Sequence, residues 1–306
     1  VIANDPYRGV FTIPSTPFHP TGEVDEVGLR RVVEFSIECG AHGLVYPVNA
    51  SEFIALTDAE RLFLTEVVVG QNDGRLPVIV GVQGTTREAA VEFSAHAREV
   101  GADGVIAMPP YLRRGSLSED VIADYYRAIS DAAEMPVFIQ NNMPPIGTDM
   151  SAEFMLTLCR EIEHVQYIKE ETVPSTVRLS GIVDADTDGA CLGVFGGAGG
   201  RYLIEEHRRG VAGQMPGCHV TDVVVALWYA LESGDASEAK RVYKEMAPLF
   251  FFEHQLPGCY KEVLYRRGVI DSPAKRNGAM PLDEVASAYL GEILEALEPL
   301  TTWSRP

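Results

Sequence analysis

Lys169 stands in the stretch "HVQYIKEETVP" (164–174), with Glu171 two residues on. Strand side chains alternate between faces. Val165, Tyr167 and Lys169 therefore fall on one side of a strand here, Gln166, Ile168 and Glu170 on the other, and Glu171 shares the parity of Lys169. A lysine so placed has three uses. It can pair with a carboxylate at a rim, hold an anion, or attack a carbonyl as a free amine. The third requires a neutral nitrogen, and desolvation is the physical means of lowering an ammonium pKa.

Other chemistry-bearing residues sit at comparable places. "YPVNASEF" (46–53) puts Asn49, Ala50 and Ser51 just past an apolar run. Backbone N–H groups and a hydroxyl there can grip a carboxylate, although Asn and Ser are also ordinary turn residues. "MPPYLRR" (108–114) carries Tyr111, which reads equally as a catalytic phenol or a cap on the core. "FIQNNMPP" offers Gln140 and Asn141. "GGAGG" (196–200) opens on Gly196 and reads as a tight strand-to-helix turn, since no Lys-Ser/Thr follows to make a phosphate loop.

All of these follow short apolar runs, and the runs alternate with longer segments of helical period. "GVFTIP" (9–14), "GLVYPV" (43–48), "PVIVGV" (77–82), "GVIAMP" (104–109), "PVFIQN" (136–141), "VQYIKE" (165–170), "CLGVFGG" (191–197) and "VAGQMP" (211–216) read as strands. Between them lie helix patterns such as "DEVGLRRVVEFSIECG". One of these, "TDAERLFLTEVVVGQ", opens with a capping box at Thr57 and Glu60. Strand–helix alternation implies a parallel sheet. Eight units favour an α/β fold of the (β/α)8 TIM-barrel type over an open doubly wound sheet, because no strand leads into a G-x-G-x-x-G turn. After residue 217 only helical patterns follow, near 220–233, 236–252, 257–267 and 283–297. The expected division is a barrel over 1–217 and a C-terminal helical extension over 218–306 packed on it. Barrel sites form at the C-terminal ends of the strands, where the residues above fall.

The 306 residues carry a net charge of −19, which argues against nucleic-acid or anionic-membrane partners. The apolar run "VVVALWYAL" (223–231) is too short to span a bilayer. Five cysteines (Cys39, Cys159, Cys191, Cys218 and Cys259) make no C-x-x-C pair, and the seven histidines show no metal-binding spacing. No metal site is expected. The opening "VIANDPYRG" has no signal-type apolar run, so the expected compartment is cytoplasmic.

Taken as a set, "TPF…TGEVD" (16–25), "GLVYPVNASEFIALTDAER" (43–61), "PVIVGV" (77–82), "GADGVIAMPPY" (101–111) and "QYIKEET" (166–172) resemble the dihydrodipicolinate synthase / N-acetylneuraminate lyase superfamily, from about Gly9 to Ile270. Lys169 falls where that superfamily carries its imine-forming lysine. Two departures stand out. Val48-Asn49-Ala50-Ser51-Glu52 replaces the usual G-T-T-G-E, and Gln140 stands where a proton-relaying tyrosine is usual. Both departures, and Lys169-Glu170-Glu171-Thr172 as K-x-E-T, are similar to the branch of 2-keto-3-deoxy-L-arabonate dehydratases.

The resemblance implies a hydro-lyase of the class I Schiff-base type acting on a 2-keto-3-deoxy sugar acid. It implies Lys169 as nucleophile and Glu171 as proton acceptor. The substrate carboxylate is expected at Asn49, Ala50 and Ser51, with Tyr111, Gln140, Asn141, Thr172 and Gly196 as further substrate-facing positions. Gln140 and Asn141 would orient substrate hydroxyls or water, and Tyr111 or reprotonated Glu171 would supply the acid. No organic cofactor is implied, because the iminium is the electron sink. The implied partners are a small-molecule 2-keto acid and further copies of the chain, as tetramer or dimer. Three rivals stay open at this point: a pyruvate-releasing aldolase, a keto-acid-binding regulatory protein without turnover, and a phosphate-handling barrel.

Overall fold

Every apolar run read as a strand forms one, and all but the sixth are shorter than their runs. The strands are β1 (Gly9–Thr12), β2 (Gly43–Tyr46), β3 (Val78–Gly81), β4 (Gly104–Ala107), β5 (Val137–Asn141), β6 (Val165–Glu170), β7 (Gly193–Gly196) and β8 (Gly213–Gln214). Proline explains part of the shortening. Pro14, Pro47, Pro109 and Pro216 lie at the ends of four of the runs, and a residue without N–H cannot extend a ladder. The structure, a computed structural model, describes residues 6–110, 117–144, 146–256, 259–276, 278 and 281–303. The eight strands close in chain order into a parallel barrel, as the alternating pattern predicts.

Helices α1 (Glu26–Glu38), α2 (Asp58–Asn72), α3 (Arg87–Glu99), α4 (Glu119–Ala133), α5 (Ala152–Glu161), α6 (Ser175–Ala185), α7 (Leu203–Arg208) and α8 (Thr221–Glu232) each follow a strand. Helices α9 (Ala236–Gln255), α10 (Tyr260–Arg266) and α11 (Glu284–Leu297) complete the chain. The capping box forms as expected: Glu60 N–H donates to Thr57 Oγ1, and Thr57 N–H donates to Glu60 Oε2. Among the described residues no helix is long and apolar enough to cross a membrane.

By packing, the chain groups into two compact units. One is Val1–Gly9 with Gly74–Met215, the other Val10–Asp73 with Pro216–Pro306. This grouping differs from a cut at residue 217, for a reason visible in the second unit. There Val32 and Phe35 of α1 pack into one buried cluster with Cys218, Leu264, Val269 and Ile270, and Trp303 covers it. Asp222 of α8 receives two bonds from Arg267, at 3.0 and 2.6 Å.

In the first unit the inner layer is aromatic. The rings of Phe138 (β5) and Tyr167 (β6) stack at 4.4 Å, and Tyr7 and Phe195 (β7) meet them edge-on. The register puts them there. β5 and β6 pair Val137 with Val165, then Phe138 with Tyr167, so β6 holds one extra residue, Gln166. Such a bulge re-aims every residue after it. Beyond it Gln140 pairs with Lys169 and Asn141 with Glu170, while on the other side Lys169 pairs with Phe195. Lys169 thus stands one step along the inner face from Tyr167, on an aromatic floor.

That floor carries a stability prediction. Phe138 is fully buried and touches three other rings. Phe138→Ala is expected to lower unfolding free energy by about 3–5 kcal/mol, read from urea midpoints; a loss below about 1 kcal/mol would show that the aromatic layer does not position β5 and β6.

Candidate active site

The ammonium of Lys169 is buried, 3% exposed, with Nζ 3.3 Å from Glu171 Oε2. Taking an ion pair out of water is costly unless further hydrogen bonds hold it, and these are present. Glu171 follows the last residue of β6, and its backbone N–H donates to Asn141 O at 3.0 Å, which fixes the turn. Its Oε2 accepts from Gln140 Nε2 at 2.6 Å and from Asn142 Nδ2 at 3.4 Å. Its Oε1 accepts from the Ala198 N–H at 3.3 Å. One carboxylate thus receives an ammonium, two amides and a backbone dipole.

The glycine run after β7 makes room for it. A Cβ on Gly197 would collide with the Glu171 carboxyl, and one on Gly196 with the carboxyl of Glu206. The run then turns sharply, with Ala198 at φ 52° and Gly199 at φ 69°, left-handed angles that favour glycine. "GGAGG" is the tight turn that the sequence suggested, and its first two glycines also seat two carboxyls.

Of the expected site residues, Lys169, Glu171 and Gln140 come together in this way, while Gly196 lies against the carboxyl of Glu206 and it is Gly197 that lies against Glu171. Gln140 differs from expectation in its partner. Its amide nitrogen serves Glu171, while its buried Oε1 has no hydrogen-bond partner among the described residues. Asn141 and Thr172 are not brought to Lys169. The register turns Asn141 to the outer face, where it exchanges hydrogen bonds with the Met150 backbone and donates to Glu170 Oε2 at 2.8 Å. Thr172 gives both its N–H and its hydroxyl to Glu170 Oε1. Both side chains are spent holding Glu170, whose carboxyl is pushed up by burial against the pull of these bonds and of Arg178.

Asn49, Ala50 and Ser51 form a single 3₁₀ turn in the other unit. Thr16 Oγ1 bonds both Ser51 O (2.7 Å) and the Tyr46 hydroxyl (2.9 Å). Burial pushes that phenol well above its ordinary range. The next residue, Glu52, takes a left-handed φ of 61° and pairs with buried Lys261 at 2.8 Å. Ser51 Oγ is buried without a hydrogen-bond partner among the described residues. Tyr111 lies outside the described residues.

The sequence reading missed Asn142, Glu206 and Gln214. Strand parity is a signal for Asn142, since it shares a face with Gln140 and not with Asn141. Glu206, in "LIEEHRR", looks like one of many helix-surface acids. Its only signal is the i, i+3 spacing from buried Leu203. Among the described residues no group of three or more His, Cys, Asp or Glu is placed to hold a metal ion.

A closed parallel barrel with a buried lysine–carboxylate pair at the end of its sixth strand defines a class of α/β-barrel site. The comparisons with known proteins narrow the class. Residues 6–297 match the Dihydrodipicolinate synthetase family, and the chain belongs to it. L-2-keto-3-deoxyarabonate dehydratase of Azospirillum brasilense is 33% identical, covering 96% of each chain. A 4-hydroxy-tetrahydrodipicolinate synthase of Nitratidesulfovibrio vulgaris (strain Miyazaki F) is 29% identical, covering 95% of this chain and 98% of its own. Among solved structures, YagE of Escherichia coli K12 in complex with pyruvate, a prophage protein of the dihydrodipicolinic acid synthase family, superposes with a TM-score of 0.87 at 25% identity. It covers 96% of this chain and 99% of that one.

The glycine seat under Glu171 is directly testable. Gly197→Ala must displace the carboxyl, and a shift of about 1 Å at a reacting group costs about 100-fold in rate. The variant is expected to melt close to wild type, by circular dichroism, with turnover reduced by about that factor. Retained turnover would mean that the position of Glu171 is not critical.

Proposed function

We propose that this protein is a Schiff-base hydro-lyase that removes water from a 2-keto-3-deoxy sugar acid, such as 2-keto-3-deoxy-L-arabonate. The observation that carries this is the Lys169–Glu171 pair, with Glu171 held at 2.6 Å by the amide of Gln140. A nucleophile and a proton acceptor stand 3.3 Å apart, a spacing suited to adjacent carbons of one substrate. The neighbouring strand supplies an amide, which has no useful proton to exchange. Retro-aldol cleavage needs a group to take the proton of the hydroxyl at the breaking carbon–carbon bond, and Gln140 does not fill that need. Further support is the similarity to a named dehydratase along nearly the whole chain, and to a structure that holds pyruvate.

Glu171 is the nearest acceptor for the Lys169 proton, and the freed amine adds to C2. Return of that proton from Glu171 to the adduct hydroxyl expels water and gives an iminium, which acidifies C3. Glu171 takes a C3 proton, and the electron pair settles as an enamine. The enamine expels the C4 hydroxyl, which leaves as water with a proton returned by Glu171. Hydrolysis of the conjugated iminium consumes one water and restores Lys169. The balance is one water lost per turnover. With a five-carbon substrate, a proton shift from C5 to C3 gives an enol, and transfer of its hydroxyl proton to C4 gives 2-oxoglutarate semialdehyde.

Borohydride reduction in the presence of pyruvate is expected to add a stable adduct on Lys169, located by mass spectrometry. Lys169→Arg should abolish both adduct and turnover, since a guanidinium forms no imine. Glu171→Gln should still trap pyruvate but lose about 10²–10⁴ in turnover of the sugar acid. Lactate dehydrogenase coupling reports pyruvate and is blind to the semialdehyde. Stoichiometric pyruvate would replace this reading with the aldolase. Trapping without turnover of any sugar acid would favour a keto-acid-binding protein.

A further inference from the structure

Glu206, on the first full turn of α7, has no part in the sequence just described, yet it stands beside it. Its side chain is 1% exposed. Oε2 accepts from Gln214 Nε2 of β8 at 2.8 Å, while buried Oε1 has no hydrogen-bond partner among the described residues. Its carboxyl rests against Gly196 just as that of Glu171 rests against Gly197, so two carboxyls occupy adjacent glycine seats. The charged groups that act on it are Glu171, from the end of β6, and Glu205 on its own helix; Gln214 from β8 is neutral. Among the described residues no ion pair reaches it, and Arg209, one turn on, bonds Glu205 and Ser180 instead.

We propose that Glu206 is a positioning residue that works as an uncharged acid, filling the seat over Gly196 so that Glu171 has no second anion beside it. This rests on the Schiff-base reading of Lys169. The physical argument is one of burial. A carboxylate with one amide donor and no cation is far too costly to keep ionised in an enclosed site, and the proton is the cheapest remedy. Burial first, and then the charge of Glu171, push the Glu206 carboxyl up to about 8. Below that pH the seat is neutral. Above it a second carboxylate stands beside Glu171 across the two glycine seats, and their mutual repulsion works against the position of Glu171 next to Lys169.

The sign for stability follows from the same shift. The folded pKa lies above the ordinary 4.5, so the stability that Glu206 contributes is complete below about pH 4.5 and is lost as pH rises through about 8. A glutamine there does not titrate.

The test compares wild type, Glu206→Gln and Glu206→Ala at pH 5 to 9.5, by thermal melting and by the initial rate of borohydride-trapped pyruvate on Lys169. Glu206→Gln is expected to gain melting temperature relative to wild type between pH 5 and pH 8. Wild-type trapping should fall about threefold or more from pH 7.5 to 9.5. Glu206→Gln should remove that fall. Glu206→Ala should trap more slowly at pH 7, with the amide variant restoring the rate. Coincident trapping profiles for wild type and Glu206→Gln would overturn the proposal. So would an amide variant as slow as the alanine one. If no variant and no wild type is trapped at any pH, the Schiff-base reading falls and takes this role with it; the melting comparison still reads the charge state of Glu206 and keeps the two failures apart.

Discussion

The site depends on one buried ion pair, Lys169 Nζ to Glu171 Oε2 at 3.3 Å. Such a pair stabilises a fold weakly, because desolvation offsets most of the attraction. Its persistence has to be read in the hydrogen bonds that surround it. Glu171 is gripped by Gln140, Asn142 and the Ala198 N–H, and its room is set by a missing Cβ at Gly197. Strand six supplies the lysine, strand five the amides and strand seven the glycine seat. Three adjacent strands must hold register for one carboxylate to stand where it does, and the bulge at Gln166 is part of that register.

The opposite face of β6 carries the complementary arrangement. Lys169 faces inward and Glu170 outward, and each is buried. Glu170 is enclosed by Asn141, Thr172 and Arg178, and through Asn141 it is tied to the backbone of Met150. The two acids of "KEET" thus divide by parity. One fastens the loops behind the barrel, and the other faces the lysine. A one-residue slip of β6 would exchange them, leaving the inner face with a carboxylate where the amine belongs. The outer network is therefore a device for specifying register as well as a set of bonds.

Much of this was legible in the sequence. The alternation of runs predicts the barrel, and parity together with the resemblance singles out Lys169 and Glu171. Asn141 and Thr172 lie apart from Lys169 because faces alternate along a strand: a residue next to Gln140 points the other way, and Thr172 shares the parity of Glu170, to which it donates. Glu206 was hidden for a different reason. On a short helix with acids at 205 and 206, which of them turns inward depends on where α7 packs, and the i, i+3 spacing of Glu206 from Leu203 is its one local trace. The two-unit packing was hidden likewise, since it depends on α1 meeting the segment around Leu264 across more than two hundred residues. Long-range pairing of this kind leaves no periodic trace.

The proton inventory of the first unit ties these observations to the chemistry proposed. Around Lys169 the side chains that touch Glu171 are amides, and amides orient without exchanging protons at any ordinary pH. Among the described residues, the proton traffic proposed there runs through Lys169 and Glu171, with Glu206 taking part only through the neutral form proposed for it. In the proposed elimination a single group can take the C3 proton and return it to the departing hydroxyl, so a closed pair suffices and an additional relay in this unit is unnecessary. Cleavage of a carbon–carbon bond makes a different demand, because the proton leaves from an oxygen one carbon further along the substrate. An amide at position 140 removes the acceptor from the neighbouring strand and at the same time fastens the base that elimination needs. The substitution of an amide for a phenol is thus a gain for one reaction and a loss for the other, through the same hydrogen bond.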